Sequence, residues 1–484
     1  MSEMQLDPST SSTEDMAYEE ETGMPDDNNV SQKEWISELL RKYLAKYVRD
    51  FLEKRKDGIP SPVSSKISIP DGNGNIENNS HSSIHSDECK KNESETDASE
   101  EIGSNNLKEL SELTVTNLEI TEETALGDDR ITYLSRILSL AANYTVSNAE
   151  HFVEWIVKVP SKSVEERNLA RETHAYLREV SFYTEILQNI KLWLEHNCSP
   201  SPTDSQRLWL NVPTCYYANY AEPTCDTEPE VCEFPNLEYN LILEDLRAQG
   251  FGKRHYSMGL TIEEATEAVR EIAKFHAICW AMEQHSYGES LHWPNLLMWK
   301  DVHRVTLAMA TGPGIKTSKR FGGLLKPLPH PAVTTLIHMD FWADNLLFRE
   351  TIESNQLEDG ATGLNTQSSS NVELDCMIID WQMVSYGRIT HDLGILIMTS
   401  MEAEDRRGNG MNLLKYYYDT FERIAKCFKL EVPFEFNDFV RQYVNSCLLA
   451  TLLSVGRLDL VVSEQSTLTR FFEALADLKD ETLI

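Results

Sequence analysis

Two short acidic motifs constrain this chain more than any other stretch of it. Residues 338–345 read His-Met-Asp-Phe-Trp-Ala-Asp-Asn and precede an apolar run, and residues 378–382 read Ile-Ile-Asp-Trp-Gln. Each motif places an acidic residue beside an apolar run, which predicts a loop, a strand, a long turn and a second strand. Asp340 and Asn345 are five residues apart, so one loop can present both side chains to one cleft. Asp380 comes from the neighbouring strand into the same space.

The side chains of these motifs are those that phosphoryl transfer from ATP requires. That reaction needs a carboxylate near the acceptor hydroxyl, and an Asn and an Asp that share Mg²⁺. It depends mostly on positioning and charge neutralisation, so hard oxygen ligands suit it and thiols do not. Any one of these acidic residues, taken alone, is better explained by a helix cap or a turn. The two motifs in this order favour a phosphoryl-transfer site.

The pattern HxDxWxxN followed by IDWQ resembles the ecdysteroid kinase-like family, also called CHK kinase-like, which is related to the choline and aminoglycoside kinases. The resemblance covers roughly residues 107–484. It implies an α+β, protein-kinase-like fold with two lobes, a small β-rich N-lobe and a larger, mostly helical C-lobe. It also implies that Asp340 is the catalytic base, that Asn345 and Asp380 are the Mg²⁺ ligands, and that His338 braces the loop.

A lysine and a glutamate are candidates for anchoring the nucleotide phosphates. Lys158 lies between apolar neighbours on a predicted strand, which is unusual for a solvated face and typical of the phosphate-anchoring lysine of kinase folds. That lysine needs a carboxylate from a following helix. Glu179 lies 21 residues further on a helical pattern, with Glu172 and Glu185 as alternatives. The plainer interpretation is a strand-edge lysine and a surface glutamate.

The rest of the ATP site is predicted from weaker signals. Gly127 is the one glycine of its turn, so cradling of phosphates by the backbone is weakly supported. The resemblance implies that Ser135 belongs to the lid over the phosphates, and that the Glu244-Asp245-Leu246 segment is the hinge, where main-chain groups read the adenine. It also implies that Asp392 is a buried residue that supports the catalytic loop without binding the metal.

Composition divides the chain into five predicted parts. We expect a disordered acidic tail at 1–30, an amphipathic helix at 31–56, a disordered insertion at 57–106, the N-lobe at 107–246 and the C-lobe at 247–484. The insertion contains no Phe, Trp or Tyr and cannot bury enough apolar surface to fold. The helix packs on the enzyme or, alternatively, lies on a membrane surface. We favour a passive insertion; the alternatives are that it is phosphorylated or that, with the acidic tail, it binds a protein partner.

Charge and cysteine usage exclude several classes of function. The net charge of −34 argues against nucleic acid and anionic membranes as partners. We expect neither a signal peptide nor a transmembrane segment. Nine cysteines without a CxxC pair favour reduced thiols in a cytoplasmic protein. A metal site at the crowded Cys215, Cys225 and Cys232 is the less favoured alternative, because no histidine is interleaved.

Periodicity predicts the main secondary structure. Thr261 and Glu264 form a predicted capping box for a helix that runs to about Met282, on which His276 is a core or interface residue. Residues 413–484 carry helical periodicity and are expected to wall the acceptor pocket. The predicted strands are Leu113–Ile120, Ile131–Leu140, His151–Val159, Leu208–Tyr217 and Tyr239–Leu243.

The resemblance implies an ATP- and Mg²⁺-dependent kinase that phosphorylates a hydroxyl of a small molecule, such as an ecdysteroid or a xenobiotic alcohol. A protein acceptor is disfavoured, because the loop reads His-Met-Asp, the metal motif reads Asp-Trp-Gln, and no Ala-Pro-Glu closes an activation segment. Two alternatives remain. One is a catalytically weak, nucleotide-binding pseudokinase that acts as a scaffold, and the other is a choline or ethanolamine kinase.

Overall fold

The computed structural model describes most of the two predicted lobes. The predicted tail, the predicted insertion, Gly127, Cys225 and Cys232 lie outside the described residues. The described residues are 34, 36–38, 40–41, 113–122, 134–146, 149–161, 163–198, 208–221, 239–254, 256–286, 333–353, 371–455 and 464–479.

A five-stranded antiparallel sheet forms the N-terminal part of the described chain. Its strand order is β1-β2-β3-β5-β4. The longest pairing joins β2 and β3, from Ser135 opposite Pro160 to Val146 opposite Ala149. The strands are β1 Thr114–Glu122, β2 Ser135–Val146, β3 Ala149–Pro160, β4 Cys215–Tyr220 and β5 Tyr239–Glu244.

The predicted strands are present, and two of the five have an end that differs from the predicted one by more than two residues. The second, predicted as Ile131–Leu140, is described only from residue 134. Its strand β2 starts at Ser135 and continues beyond Leu140 to Val146, because pairing with β1 and β3 outweighs the weak strand propensity of Ala141–Asn143. The fourth was predicted from Leu208, yet β4 begins only at Cys215. Pro213 explains this difference, since proline cannot donate a ladder hydrogen bond.

One face of this sheet carries a separate apolar core. Leu138, Leu140, Trp155 and Val157 alternate along their strands and are all buried in one cluster. Ile36 and Leu40, on the described residues of the predicted N-terminal helix, are fully buried in that cluster. Arg41 also donates from Nη2 to the carbonyl oxygen of Leu113 at 3.1 Å. The described part of the helix therefore packs on the sheet.

A nearly continuous helical stretch follows β3. It consists of α1 Val164–Glu172, α2 Ala175–Ser181, a π-helical turn Phe182–Ile186, and α3 Leu187–Asn197. Ser163 caps α1, because its hydroxyl accepts from the N–H of Glu166 at 3.3 Å. The π turn matters for the site, since such turns rotate the side chains that precede them relative to those that follow.

The C-terminal part of the described chain is mostly helical. Two small sheets border the cleft, β6-β8-β9 and β7-β10, and all their pairings are antiparallel. Their strands are β6 Gly252–Lys253, β7 Thr334–Ile337, β8 Leu346–Glu353, β9 Asn371–Ile378 and β10 Ser385–Arg388. The helices are α4 Ile262–His285, α5 Thr390–Ser400, α6 Ala403–Cys427, α7 Phe436–Val455 and α8 Gln465–Lys479.

The first helix of this part begins as predicted. Glu264 donates its N–H to the Thr261 hydroxyl at 3.2 Å, and Thr261 donates its N–H to the Glu264 carboxylate at 3.0 Å. This reciprocal pair is the predicted capping box. The helix extends three residues beyond the predicted Met282, to His285. The helical periodicity of 413–484 corresponds to α6, α7 and α8 within the described residues.

The predicted α+β fold, with a β-rich N-terminal lobe and a larger helical C-terminal lobe, is confirmed. Among the described helices, none combines the length and the apolar character that a membrane crossing needs. Every cysteine in the described part of the chain is a free thiol.

Two helical glycines test the packing of the C-terminal lobe. A Cβ on Gly394 of α5 would lie 2.9 Å from the Ser446 carbonyl oxygen of α7, whereas a Cβ on Gly408 of α6 would meet nothing within 4 Å. We expect Gly394→Ala to lower the free energy of unfolding by about 1–3 kcal/mol through overpacking. Gly408→Ala should raise it by about 0.5–1 kcal/mol. Urea denaturation measures both changes, and a Gly394→Ala variant as stable as wild type would contradict this close packing.

Candidate active site

The loop between β7 and β8 carries the first acidic motif in an unusual backbone conformation. Met339 has φ of 66°, the left-handed region that non-glycine residues seldom adopt. The N–H groups of His338 and Met339 each donate to the Asp392 carboxylate at 2.7 Å. Asp392 lies fully buried in the first turn of α5, 3.1 Å from Nε2 of His276. These two hydrogen bonds from the backbone to the Asp392 carboxylate therefore stabilise the strained turn.

His338 links the loop to the second motif. Its Nδ1 accepts from the N–H of Asp340 at 3.2 Å, and its Nε2 lies 3.0 Å from the carbonyl oxygen of Ile379. Because Nδ1 accepts, we assign the proton of the neutral ring to Nε2, which then donates to Ile379. These contacts join the loop to the second motif, and the bracing role that the resemblance implies for His338 stays a prediction.

The predicted base and the predicted metal-binding amide lie side by side. Asn345 Nδ2 donates to the Asp340 carbonyl oxygen at 2.8 Å and to Asp340 Oδ2 at 2.9 Å. The amide orientation therefore turns Asn345 Oδ1 away from Asp340 and leaves that oxygen as an acceptor. The carbonyl oxygen of Asn345 accepts from the N–H of Ile379 at 3.0 Å, which places Asp380 beside this pair.

Lys158 joins the two lobes at the predicted phosphate site. Its Nζ lies 2.7 and 2.8 Å from the two Glu179 oxygens and 2.6 Å from Asp380 Oδ1. The Tyr239 hydroxyl donates to Glu179 at 2.7 Å. Of the three glutamates considered from sequence, Glu179 is thus the one that meets the lysine, while Glu172 and Glu185 are exposed.

The charges of Lys158 and Asp380 stabilise each other, whereas burial and the nearby Asp380 raise the pKa of Glu179. Burial alone lowers the pKa of Lys158, but the carboxylates of Asp380 and Glu179 outweigh burial and raise the pKa above its ordinary value. Burial raises the pKa of Asp380, and the Lys158 ammonium more than offsets this, so the pKa falls below its usual range. Both groups are therefore charged at neutral pH.

An aromatic stack ties α2 to the second motif. The fully buried Trp381 ring lies parallel to Phe182 of the π turn, with the ring centroids 3.8 Å apart. The His338 ring contacts the same tryptophan at 4.6 Å. Because Phe182 follows Glu179 closely on one helical stretch, this stack fixes the helix that carries the Lys158 partner.

The remaining predicted ATP-site residues occupy the edge of the sheet and the connection between lobes. Glu244 ends β5, where its N–H donates to the Thr214 carbonyl oxygen at 2.9 Å. Leu246 is buried and begins a short 3-10 turn, Leu246–Gln249. Ser135 is a buried strand residue at the start of β2, opposite Pro160, rather than part of a turn. The proposed contacts of these residues with a nucleotide stay predictions.

Sequence reasoning missed several residues that contact the site. Tyr239 holds Glu179, Gln382 donates from Nε2 to Asp380 Oδ2 at 3.1 Å, and the Ser400 hydroxyl accepts from the Ala343 N–H at 2.9 Å. Gln382 belongs to the motif at residues 378–382, so the sequence could have predicted its contact with Asp380. Tyr239 and Ser400 reach the site only through tertiary packing, and no local pattern marks them.

The donor set fits Mg²⁺ in its chemistry. Asn345 Oδ1 and the Asp380 carboxylate are the hard oxygens that Mg²⁺ prefers, and Mg²⁺ commonly takes its other ligands from water and phosphate. Among the described residues, no group of three or more His, Cys, Asp or Glu side chains is placed to hold a metal ion. Two protein ligands are what a site completed by substrate phosphates would need.

The chain shares sequence patterns with two families. Residues 131–293 match the ecdysteroid kinase-like family. The expected resemblance to this family is confirmed over these residues, which do not include the two motifs. Residues 304–470 match a second family model, described as uncharacterized oxidoreductase dhs-27. Both motifs of the candidate site fall within this second region. No curated protein matches the chain.

Solved structures of small-molecule kinases resemble the chain weakly. A microcompartment-associated aminopropanol kinase has 14% identity and a TM-score of 0.34, covering 76% of this chain and 94% of its own. The amicoumacin kinase hAmiN, in complex with AMP-PNP, Ca²⁺ and Ami, has 12% identity and a TM-score of 0.38, and the match covers 75% of this chain and 89% of hAmiN. The Plasmodium vivax ethanolamine kinase has 8% identity and a TM-score of 0.35, and the match covers 78% of this chain and 86% of that kinase. Such superpositions are too loose to transfer a residue or a substrate.

Replacing Asp392 tests the frame beneath the loop. Asp392→Asn substitutes an N–H donor for one of two oxygens that now accept backbone N–H groups. We expect the free energy of unfolding to fall by about 1.5–3 kcal/mol, the worth of a hydrogen bond to a charged group. Asp419→Asn is the matched control, because Asp419 forms only an exposed pair with Lys415. Equal stability of the two variants in urea denaturation would contradict the role of Asp392.

Proposed function

We propose that this chain is an ATP- and Mg²⁺-dependent kinase that phosphorylates a hydroxyl group of a small molecule. The observation that carries the proposal is the meeting of Lys158, Glu179 and Asp380 beside the Asp340–Asn345 pair. A lysine paired with a helix glutamate, a metal-binding Asp and Asn, and a nearby carboxylate are the recurring parts of kinase sites. The match to the ecdysteroid kinase-like family supports the same reaction.

Each residue has a definite task in this proposal. Asp340 orients the acceptor hydroxyl and accepts its proton as the hydroxyl oxygen bonds to phosphorus. Lys158, held by Glu179, binds the α- and β-phosphates. Asn345 and Asp380 hold Mg²⁺, which when bound neutralises the phosphate charge. The main chain around Leu246 reads the adenine. General-base assistance of this kind is worth about 10²–10⁴-fold in rate.

The path of the chain after Asp380 favours a small acceptor. A short 3-10 turn, Trp381–Met383, leads directly into β10, and α5 begins at Thr390. This direct connection leaves no room for the activation segment with which protein kinases bind a peptide. The family description points to an ecdysteroid, and a xenobiotic alcohol is the related choice.

The other suggestions have less support from the site. The second family model is described as an oxidoreductase, but carboxylates, an amide and a lysine are groups for phosphoryl transfer. The contacts among Lys158, Glu179 and Asp380 beside Asp340 and Asn345 support catalysis over a scaffold without activity. We also propose a cytoplasmic location, in line with the free thiols of the described residues, and a protein partner for the acidic N-terminal region.

Transfer of labelled phosphate from Mg²⁺-ATP to a panel of acceptors tests the proposal. The panel contains ecdysteroids, other steroid alcohols, choline and ethanolamine. We expect wild type to label at least one hydroxylated compound, and Asp340→Asn to lower turnover by about 10²–10⁴-fold without unfolding the protein.

Asp419→Asn, on the exposed face of α6, is the control and should retain full turnover. An Asp340→Asn variant with wild-type turnover would show that Asp340 is not the base. A wild type that labels none of these compounds would favour the scaffold.

A further inference from the structure

One fully buried cation lies beside the candidate site without a task in the proposed reaction. Arg178 precedes Glu179 on α2 and has no measurable exposure. Its Nη2 donates to Met383 Sδ at 3.4 Å, which is a weak contact. Its Nε and Nη1 are buried and have no hydrogen-bond partner. Two strong donors are thus withheld from water and from protein.

This arginine differs from other buried cations of the described residues. Arg406 lies 2.5 Å from the Asp477 carboxylate, and Lys274 lies 2.7 Å from Glu271. Arg178 forms no ion pair within the described chain. Burial lowers the pKa of Arg178 to about 9, and the charge of Asp340 partly opposes this. The guanidinium is therefore still cationic at neutral pH, although burial removes it from water.

The position of Arg178 is informative. Side chains of consecutive helix residues point in directions about 100° apart. On α2, the Glu179 side chain therefore contacts Lys158, while the Arg178 side chain contacts a different neighbour. That neighbour is Met383, three residues after Asp380 and packed on the apolar cluster beneath the catalytic loop. Arg178 is 0% exposed, whereas Lys158 and Asp340 are 6% and 7% exposed, so its donors reach a bound phosphoryl group only when the lobes shift on nucleotide binding.

We propose that Arg178 is a further catalytic residue, whose Nε–H and Nη1–H donate to the phosphoryl group during its transfer. This inference rests on the proposed kinase function. In the step, the acceptor oxygen bonds to phosphorus while the bond from phosphorus to the bridging oxygen of ATP breaks. ADP leaves with that electron pair, and the hydroxyl proton passes to Asp340.

The chemistry of the transferred group suits an arginine. Negative charge spreads over three equatorial oxygens, and enzymes of this kind often place an arginine there. The planar guanidinium offers parallel donors that match such oxygens. The other buried cation of the site, Lys158, is already engaged by Glu179 and Asp380. A buried cation that lacks a partner is destabilising in the free protein and becomes useful when an anion arrives.

Arg178→Met is the first test, because it keeps much of the side-chain volume and removes the charge. We expect the rate of phosphoryl transfer from Mg²⁺-ATP, either to the best acceptor or to water, to fall about 10²–10³-fold. The Tm should stay equal or rise, because an uncompensated buried charge is lost. Arg406→Met is the matched control. It leaves the buried Asp477 with only the half-exposed Arg407, so the Tm should fall while turnover at low temperature stays within a few-fold.

A binding measurement makes the test independent of the acceptor. Aluminium fluoride with Mg²⁺-ADP mimics the planar phosphoryl group in transfer. We expect wild type to gain more thermal stability from Mg²⁺-ADP with aluminium fluoride than from Mg²⁺-ADP alone. Arg178→Met should keep the response to Mg²⁺-ADP and lose the additional gain. Millimolar guanidinium should restore part of the turnover of Arg178→Ala.

The outcomes separate this inference from the function on which it rests. An Arg178→Met variant with wild-type turnover and an undiminished aluminium fluoride response would overturn the inference alone. A variant that unfolds, or loses Tm as Arg406→Met does, would identify Arg178 as a structural residue and also overturn it. A wild type that responds to no nucleotide would remove the proposed function together with this inference.

Discussion

The buried contact of Lys158 with two carboxylates joins the parts of the candidate site. The lysine comes from the sheet, Glu179 from the adjacent helix and Asp380 from the helical lobe, so one ammonium group fixes three elements. Removing one partner from a buried pair commonly costs about 3–5 kcal/mol, because the other charge is left unpaired. Tyr239 and the stack of Trp381 on Phe182 keep the glutamate side of this contact in place.

The helical lobe supplies a second, independent frame. Asp392 accepts the N–H groups of a left-handed turn at Met339, and His276 in turn contacts that carboxylate and the Tyr417 hydroxyl. Asp380 also has a left-handed φ, 65°. Neither strained position is occupied by glycine, so surrounding contacts must hold the backbone there. The geometry of the loop that carries Asp340 therefore depends on α4, α5 and α6.

Sequence patterns predicted much of this fold and left identifiable parts out. The Thr261 capping box, the alternating strands and the spacing of the two motifs are local signals, and each corresponds to an observed element. Strand limits depended on neighbours or on a single breaker such as Pro213. The left-handed turn at Met339 has no sequence mark, because its strain is compensated by distant residues. No local pattern marks Arg178, beside Glu179 on α2, as a buried residue, because its burial arises from tertiary packing.

The most direct measurement of the central claim is the Tm with and without Mg²⁺-ATP, for wild type and for Asp380→Asn. Each protein is compared with its own nucleotide-free Tm, since the substitution also removes a Lys158 contact. A ligand at about 100 times its Kd should stabilise by about 2.7 kcal/mol. The account predicts a clear upward shift in wild type that is lost in Asp380→Asn. No shift in wild type at millimolar nucleotide, or an equal shift in both proteins, would contradict a metal-nucleotide site at Asp380.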